Sequence, residues 1–251
     1  MLYFLPFVIV RFVRQIHLTS SDNFPDNYRL LEEAEQEIDY KVVILSGQPD
    51  VFCIGMDFQE MNRESVEDEQ YTAKWASSYA SLLKQISLSS KIIIAKVEGQ
   101  VAAGGVGLVS ACDFVVATPQ SRFSLSEVLW GLLPANVLPY LIRRIGYRKA
   151  YTMTLTARTL SATEALSCYL VDELNEDPDK IIRRYLSRLT RLEQRTIRDV
   201  KTYFRKMWII DEKMEQNALN ELIRLMGEVE VRKNIKNFVE QKKFSWQITN
   251  D

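Results

Sequence analysis

Glycine is scarce in this chain and unevenly placed: seven of its nine glycines fall between Gly47 and Gly131. Glycine goes where φ must be positive or where a backbone must approach another group closely. Here the glycines gather in two clusters, residues 51–61 and 99–108, and each cluster follows a short apolar run. The runs at 42–45 and 92–97, with a third at 114–117, are rich in Val and Ile and are closed by Ser46-Gly47, Glu98-Gly99 and Thr118-Pro119. Strands buried on both faces read this way, as short continuous apolar stretches ended by turn residues. Residues 7–13, rich in Val, Ile and Phe, carry the same strand signature.

Helical periodicity fills the intervals. Residues 26–38 place Leu30, Leu31, Ala34 and Ile38 on one face, and residues 71–86 do the same with Trp75, Tyr79, Leu82, Leu83 and Ile86. Two further helices are expected at 138–145 and 149–155, broken by Gly146. From 179 to 241 the pattern is almost wholly helical and includes one glycine. Strands and helices alternate first and helices gather later, which predicts an α/β core over 1–175 and a helical C-terminal region over 176–251.

Net charge is −1, which does not point to a nucleic-acid partner, and an apolar fraction of 47% excludes a disordered chain. Charge is nonetheless polarised. Between Lys180 and Lys206 ten basic residues face only Glu193 and Asp199, leaving 22 basic against 31 acidic residues elsewhere. That stretch reads as a solvated helix face or as a docking face for an anionic partner. Cys53, Cys112 and Cys168 have no CxxC spacing and read as reduced, buried thiols of a cytoplasmic protein. The apolar start has no basic leader or cleavage site and is too short to span a bilayer, so a strand is expected there and no membrane role. His17 is the single histidine, which excludes a histidine-based triad or a His-rich metal site.

In the second cluster a strand, a glycine-rich turn and a helix follow one another, with Leu108, Val109 and Ala111 opening the helical run. A helix N-terminus carries unpaired N–H groups and partial positive charge, and binds anions. Neither a Walker sequence nor a complete G-x-G-x-x-G is present, so a dinucleotide site is weakly supported. An oxyanion formed during a reaction, held by N–H groups from two loops, and plain tight packing of helix on strand are the other readings.

The motifs resemble those of the enoyl-CoA hydratase/isomerase, or crotonase, superfamily. Phe52-Cys-Ile-Gly-Met-Asp57 is similar to its F-x-x-G-x-D loop, and Ala103-Gly-Gly-Val-Gly-Leu-Val-Ser-Ala-Cys-Asp113 to its G-G-G-x-E-L-A-x-x-C-D segment. Phe123-Ser-Leu-Ser-Glu-Val-Leu-Trp-Gly-Leu-Leu-Pro134 resembles its F-x-x-P-E-x-x-x-G-x-x-P segment. Leu155-Thr-Ala-Arg-Thr-Leu-Ser-Ala-Thr-Glu-Ala-Leu-Ser-Cys-Tyr-Leu-Val-Asp172 resembles its L-T-G-x-x-x-x-A-x-E-A-x-x-x-G-L-V-D. The resemblance implies a spiral of ββα units with a helical C-terminal part that covers the substrate pocket and makes oligomer contacts, in a homotrimer or hexamer. It also implies a thioester substrate carried on the phosphopantetheine of an acyl carrier protein or on coenzyme A, with no metal and no resident cofactor. The N-terminus starts near what would be the family's second strand.

Carried over by position, the family's oxyanion hole falls on the backbone N–H groups of Met56 and Gly104. Of the two glutamates that its hydratases use, one falls on Gly107 and the other on Glu127. The wording around Gly104-Gly-Val-Gly107, Glu127 and 138–146 resembles the 3-hydroxy-3-methylglutaryl-carrier-protein dehydratases of polyketide β-branching cassettes. A dehydratase forming the 3-methylglutaconyl thioester is therefore expected. The alternatives are an enoyl-thioester isomerase or decarboxylase of the same fold, or a homologue that binds thioesters without catalysis. Glu127, set among Leu125, Val128, Leu129 and Trp130, is the expected base. Asn136 is a candidate for polarising the hydroxyl or a water, or a simple turn residue. Arg183, Arg184, Arg188 and Arg191 are candidates for carrier docking, positions 184, 188 and 191 sharing one helical face. Asp57 and Asp113 are expected to serve loop and helix-end structure, and Cys53 to pack.

Overall fold

The computed structural model describes residues 7–11, 31–37, 39–56, 69–208 and 211–247. The apolar runs are strands: β1 (Phe7–Arg11), β2 (Val42–Ser46), β4 (Ile92–Val97) and β6 (Phe114–Ala117). With β9 (Glu173–Leu174) they form a five-stranded sheet in the order β1-β2-β4-β6-β9, parallel at every pairing. Both faces of its centre are buried, and period two divides its side chains between two cores. Val43, Leu45, Ile93 and Ala95 face the main core with Leu82 and Leu83. Val42, Ile44, Ile92 and Ile94 face the other way, against Ile181, Ile182 and Leu186. Neither face meets water, so these strands show no alternation in sequence.

The strands β2, β4 and β6 are each followed by a shorter one that leaves for a second sheet. These are β3 (Asp50–Cys53), β5 (Gly99–Ala102) and β7 (Arg122–Ser124), parallel neighbours, with β8 (Leu160–Ser161) antiparallel at the edge. Helix α1 (Glu69–Leu88) follows β3 and α2 (Gly104–Ala111) follows β5. The repeated unit is thus β-β-α, as the resemblance implies. The glycine-rich segment expected as a turn between 99 and 103 holds strand β5. Helix α2 opens at Gly104, four residues before the apolar run at Leu108, so Gly104, Gly105 and Gly107 lie inside it.

Glycine inside a helix costs roughly 1 kcal/mol relative to alanine, and here close approach offsets it. A Cβ on Gly105 would stand 2.3 Å from the Cys53 carbonyl oxygen. The helix therefore rests directly on the end of β3. Helices α3 (Leu138–Ile145) and α4 (Tyr147–Thr156) part at Gly146 as expected, and α5 is Ala162–Ser167. The C-terminal stretch forms α6 (Pro178–Leu189), α7 (Gln194–Lys206), α8 (Glu212–Gly227) and α9 (Val229–Gln241). Of the helix expected at 26–38, residues 31–36 are described and helical.

Cys53 and Cys112 are buried thiols outside any disulfide, but Cys168 is only half-buried. It caps α5, where its backbone turns out of the helix, and this corrects the expectation of three buried thiols. Asp113 serves structure: its Oδ2 accepts from the Ile93 N–H at 2.7 Å and from Lys201 Nζ at 2.8 Å. Asp57 and His17 lie outside the described residues. Among the described residues no helix is long and apolar enough to cross a membrane.

Candidate active site

The second sheet decides where the chemistry-bearing residues meet. Strands β3, β5 and β7 run parallel, with Ala102 opposite Ser124 and Cys53 opposite Val101, so their carboxyl ends lie side by side. Three residues beyond Cys53 lies Met56; two beyond Ala102 lies Gly104; three beyond Ser124 lies Glu127. All three line one cavity of about 90 Å³. Ligands of α/β proteins commonly bind at strand carboxyl ends.

Two backbone conformations hold the first pair together. Gly55 has φ +87°, and a Cβ there would stand 2.6 Å from the Ala103 Cβ and 3.2 Å from the Gly104 nitrogen. Only glycine lets the loop before Met56 pass this close to the start of α2. Ala103 takes φ 49°, an uncommon value for a residue with a side chain. Its N–H bonds the Ser124 carbonyl at 3.0 Å, tying the start of α2 to the strand that leads to Glu127. Ala103 offers no side-chain cap to the first turn of α2, where its carbonyl accepts from the Val106 N–H at 2.9 Å and Gly104 supplies the leading N–H.

Glu127 opens a 3-10 turn, Glu127–Trp130, that ends in left-handed Gly131 (φ 81°). Its backbone carbonyl accepts from the Leu132 N–H at 3.1 Å, and Trp130 meets Phe238 of α9 edge-on at 5.3 Å. The helices α8 and α9 thus back the turn, and Leu222 of α8 reaches the cavity itself. Glu127 is half-buried as a residue, but its Oε2 is buried and has no hydrogen-bond partner among the described residues. Burial pushes its pKa from 4.5 up to about 7, against the weaker pull of the Glu127 and Ser126 N–H groups. A carboxylate so placed takes and returns a proton near neutrality.

Asn136 also lines the cavity; it is buried, and its Nδ2 donates to the Ala76 carbonyl at 3.3 Å. The periodicity that placed Tyr79 on a core face gave no sign that it lines the cavity or that its hydroxyl donates to the Gly104 carbonyl at 2.6 Å. The clue was the empty side-chain position at Gly107, where an added Cβ would stand 2.1 Å from the Tyr79 hydroxyl. No group of three His, Cys, Asp or Glu side chains able to hold a metal occurs among the described residues.

The four arginines lie apart from this cavity. Arg183 pairs with Asp177 at 3.4 Å and Arg184 with Glu173, both exposed. Helix α6 ends at Leu189 with Thr190 as its cap. Arg191 therefore stands beyond the helix and does not continue the face of Arg184 and Arg188, as its spacing had suggested.

The chain that builds this cavity at the carboxyl ends of β3, β5 and β7 has counterparts among known proteins. Residues 22–249 match the enoyl-CoA hydratase/isomerase family. The chain belongs to this family. Within it, bacillaene synthase dehydratase PksH of Bacillus subtilis (strain 168) is 35% identical over 227 residues, covering 88% of this chain and 87% of its own. The crystal structure of the Bacillus subtilis pksH protein, described as a polyketide biosynthesis enoyl-CoA hydratase, superposes with a TM-score of 0.84 at 31% identity. It covers 95% of each chain. An enoyl-CoA hydratase from Mycobacterium avium gives a TM-score of 0.82 at 26% identity, over 96% of this chain and 94% of that one. The mixed α/β architecture is the crotonase fold of these family members.

Proposed function

We propose that the chain removes water from a 3-hydroxyacyl thioester, converting 3-hydroxy-3-methylglutaryl-carrier protein to 3-methylglutaconyl-carrier protein in polyketide β-branching. The chain is an enzyme, a hydro-lyase of the enoyl-CoA hydratase family. The observation that carries the finer reading is the lone acid: Glu127 is the one carboxylate among the described residues lining the cavity. Likeness to a bacillaene synthase dehydratase over most of both chains supports a carrier-bound polyketide substrate.

In this reading Glu127 takes the proton from C2, and charge develops on the thioester oxygen. The N–H groups of Met56 and Gly104 face that oxygen, and losing one such donor costs about 3 kcal/mol in comparable sites. Glu127 then returns its proton to the departing hydroxyl, so that one carboxyl serves as base and acid in turn. Asn136, with its amide nitrogen engaged by Ala76, orients the hydroxyl or a water through its carbonyl oxygen. The chain brings no cofactor of its own; phosphopantetheine on a carrier protein or on coenzyme A presents the substrate. The C-terminal helices cover the pocket, the enzyme acts in the cytoplasm as a trimer or pair of trimers, and the arginines at 183, 184, 188 and 191 attract an acidic carrier protein.

Incubation with 3-hydroxy-3-methylglutaryl-carrier protein, followed by mass, tests this. Loss of one water is the expected result, and Glu127→Gln should abolish it. Loss of carbon dioxide, or migration of a double bond in an enoyl thioester with the hydroxy substrate untouched, refutes dehydration. Reversing Arg188 and Arg191 to Glu should raise KM for the carrier-bound substrate and leave KM for its pantetheine form unchanged.

A further inference from the structure

Tyr79 is a buried polar residue of the cavity with no part in the reaction as drawn so far. It is 2% exposed and its ring lies parallel to Trp75, 7° between planes and 6.0 Å between centroids, so its hydroxyl is fixed in place. That hydroxyl fills the space in which a side chain at position 107 would begin: a Cβ on Gly107 would stand 2.1 Å from it and 3.1 Å from Val137 Cγ2. Tyr79, Val137, Gly104 and Glu127 line the same cavity. Gly107 and Tyr79 are therefore one arrangement, in which a phenol carried by α1 occupies the room that α2 leaves empty.

The hydrogen of the Tyr79 hydroxyl is already committed to the Gly104 carbonyl at 2.6 Å. A hydroxyl whose donor is engaged retains two acceptor lone pairs. We propose that Tyr79 is a catalytic residue that accepts a hydrogen bond from the substrate 3-hydroxyl and turns that oxygen's lone pair toward Glu127. This rests on the dehydration reading above. The C2–H bond breaks to the Glu127 carboxylate, and its electron pair moves onto the thioester oxygen as an enolate. The enolate then re-forms the carbonyl, the C2–C3 double bond forms, and the C3–O bond breaks with its pair on oxygen. That oxygen takes the proton from Glu127 and keeps its own hydrogen, held throughout by Tyr79. Water leaves, Glu127 is again a carboxylate, and Tyr79 neither gains nor loses a proton. Burial, with the Glu127 charge among the lesser causes, holds the phenol well above its ordinary range, in keeping with a group that stays protonated.

Tyr79→Phe keeps the ring and removes the acceptor. Dehydration should fall roughly 10- to 100-fold, the range expected when a reacting group loses its alignment. Enolate formation should persist, so in heavy water the deuterium entering C2 of recovered substrate, per water lost, should rise. Gly107→Ala, which keeps the phenol and displaces it, should raise the same ratio. If dehydration and exchange fall together in both variants, Tyr79 acts by holding Gly104 and the proposal fails. It fails equally if Tyr79→Phe dehydrates at the full rate. A wild-type chain that dehydrates no 3-hydroxyacyl thioester brings down the underlying reading instead, a result seen before any variant is made.

Discussion

At the scale of single residues, the proposed role of Glu127 as base and the demand of stability oppose each other. Its pKa is raised from 4.5 to about 7 by burial. Activity that needs the carboxylate should therefore rise with pH, reach half its plateau near pH 7, and be nearly absent at about pH 5. An exposed carboxylate in the same role would hold its activity to about pH 5, so the profile of kcat/KM separates the two. The linkage to folding has the opposite sign. The folded chain holds this proton more tightly than the unfolded one, so stability falls as pH rises from 4.5 to about 7 and is level beyond. The charged form costs the fold up to about 3 kcal/mol at pH 8. Glu127→Gln should raise stability at pH 8 by as much as that, add almost nothing at about pH 4, and lose dehydration at both. Urea unfolding at the two pH values checks it, and equal gains at both would mean that charge is not the cause.

Between residues and the whole chain stand the elements, and these differed in how legible they were. The strands at 42–46, 92–97 and 114–117 could be read because both of their faces are buried, which leaves an unbroken apolar run. Their partners in the second sheet could not. Gly99–Ala102 starts with glycine and includes an exposed Gln100, while Arg122–Ser124 has one fully buried side chain, Phe123. Strands so short are specified by their register to neighbours far along the chain, not by a local pattern. The motifs placed Met56, Gly104 and Glu127 by position, but what brings them together is this unread sheet. Gly105 joins the two levels. Its replacement by Ala gains helix propensity of about 1 kcal/mol but sets a Cβ 2.3 Å from the Cys53 carbonyl. Overpacking against fixed backbone costs roughly 1–3 kcal/mol, and it displaces the start of α2 from the loop of Met56. Gly105→Ala should thus lower both melting temperature and turnover. Gly227→Ala is the control: no atom lies within 4 Å of its Cβ position, so that variant should be neutral or slightly stabilised.

The whole molecule presents apolar surface that a lone chain gains nothing by exposing. Helix α4 carries Tyr147, Tyr151 and Leu155 at successive turns, exposed by 60%, 47% and 59%. The end of α7 carries Tyr203, Phe204 and the following Met207, exposed by 63%, 70% and 61%. Contiguous aromatic and aliphatic surface of this kind marks contact between proteins, and in the proposed homotrimer or hexamer copies of the same chain would cover it. Sedimentation should accordingly give three or six times the 29.1 kDa of one chain. Phe204→Asp and Tyr151→Asp each place a charge where the contact would exclude water, so whichever face is the interface should dissociate with its own variant. Met56, Gly104, Glu127 and Tyr79 come from one chain and line one cavity, so the dissociated variant should retain turnover on a pantetheine thioester. A wild-type mass of one chain at micromolar concentration would refute the assembly. Dissociation accompanied by complete loss of turnover would instead mean that a neighbouring chain completes the site.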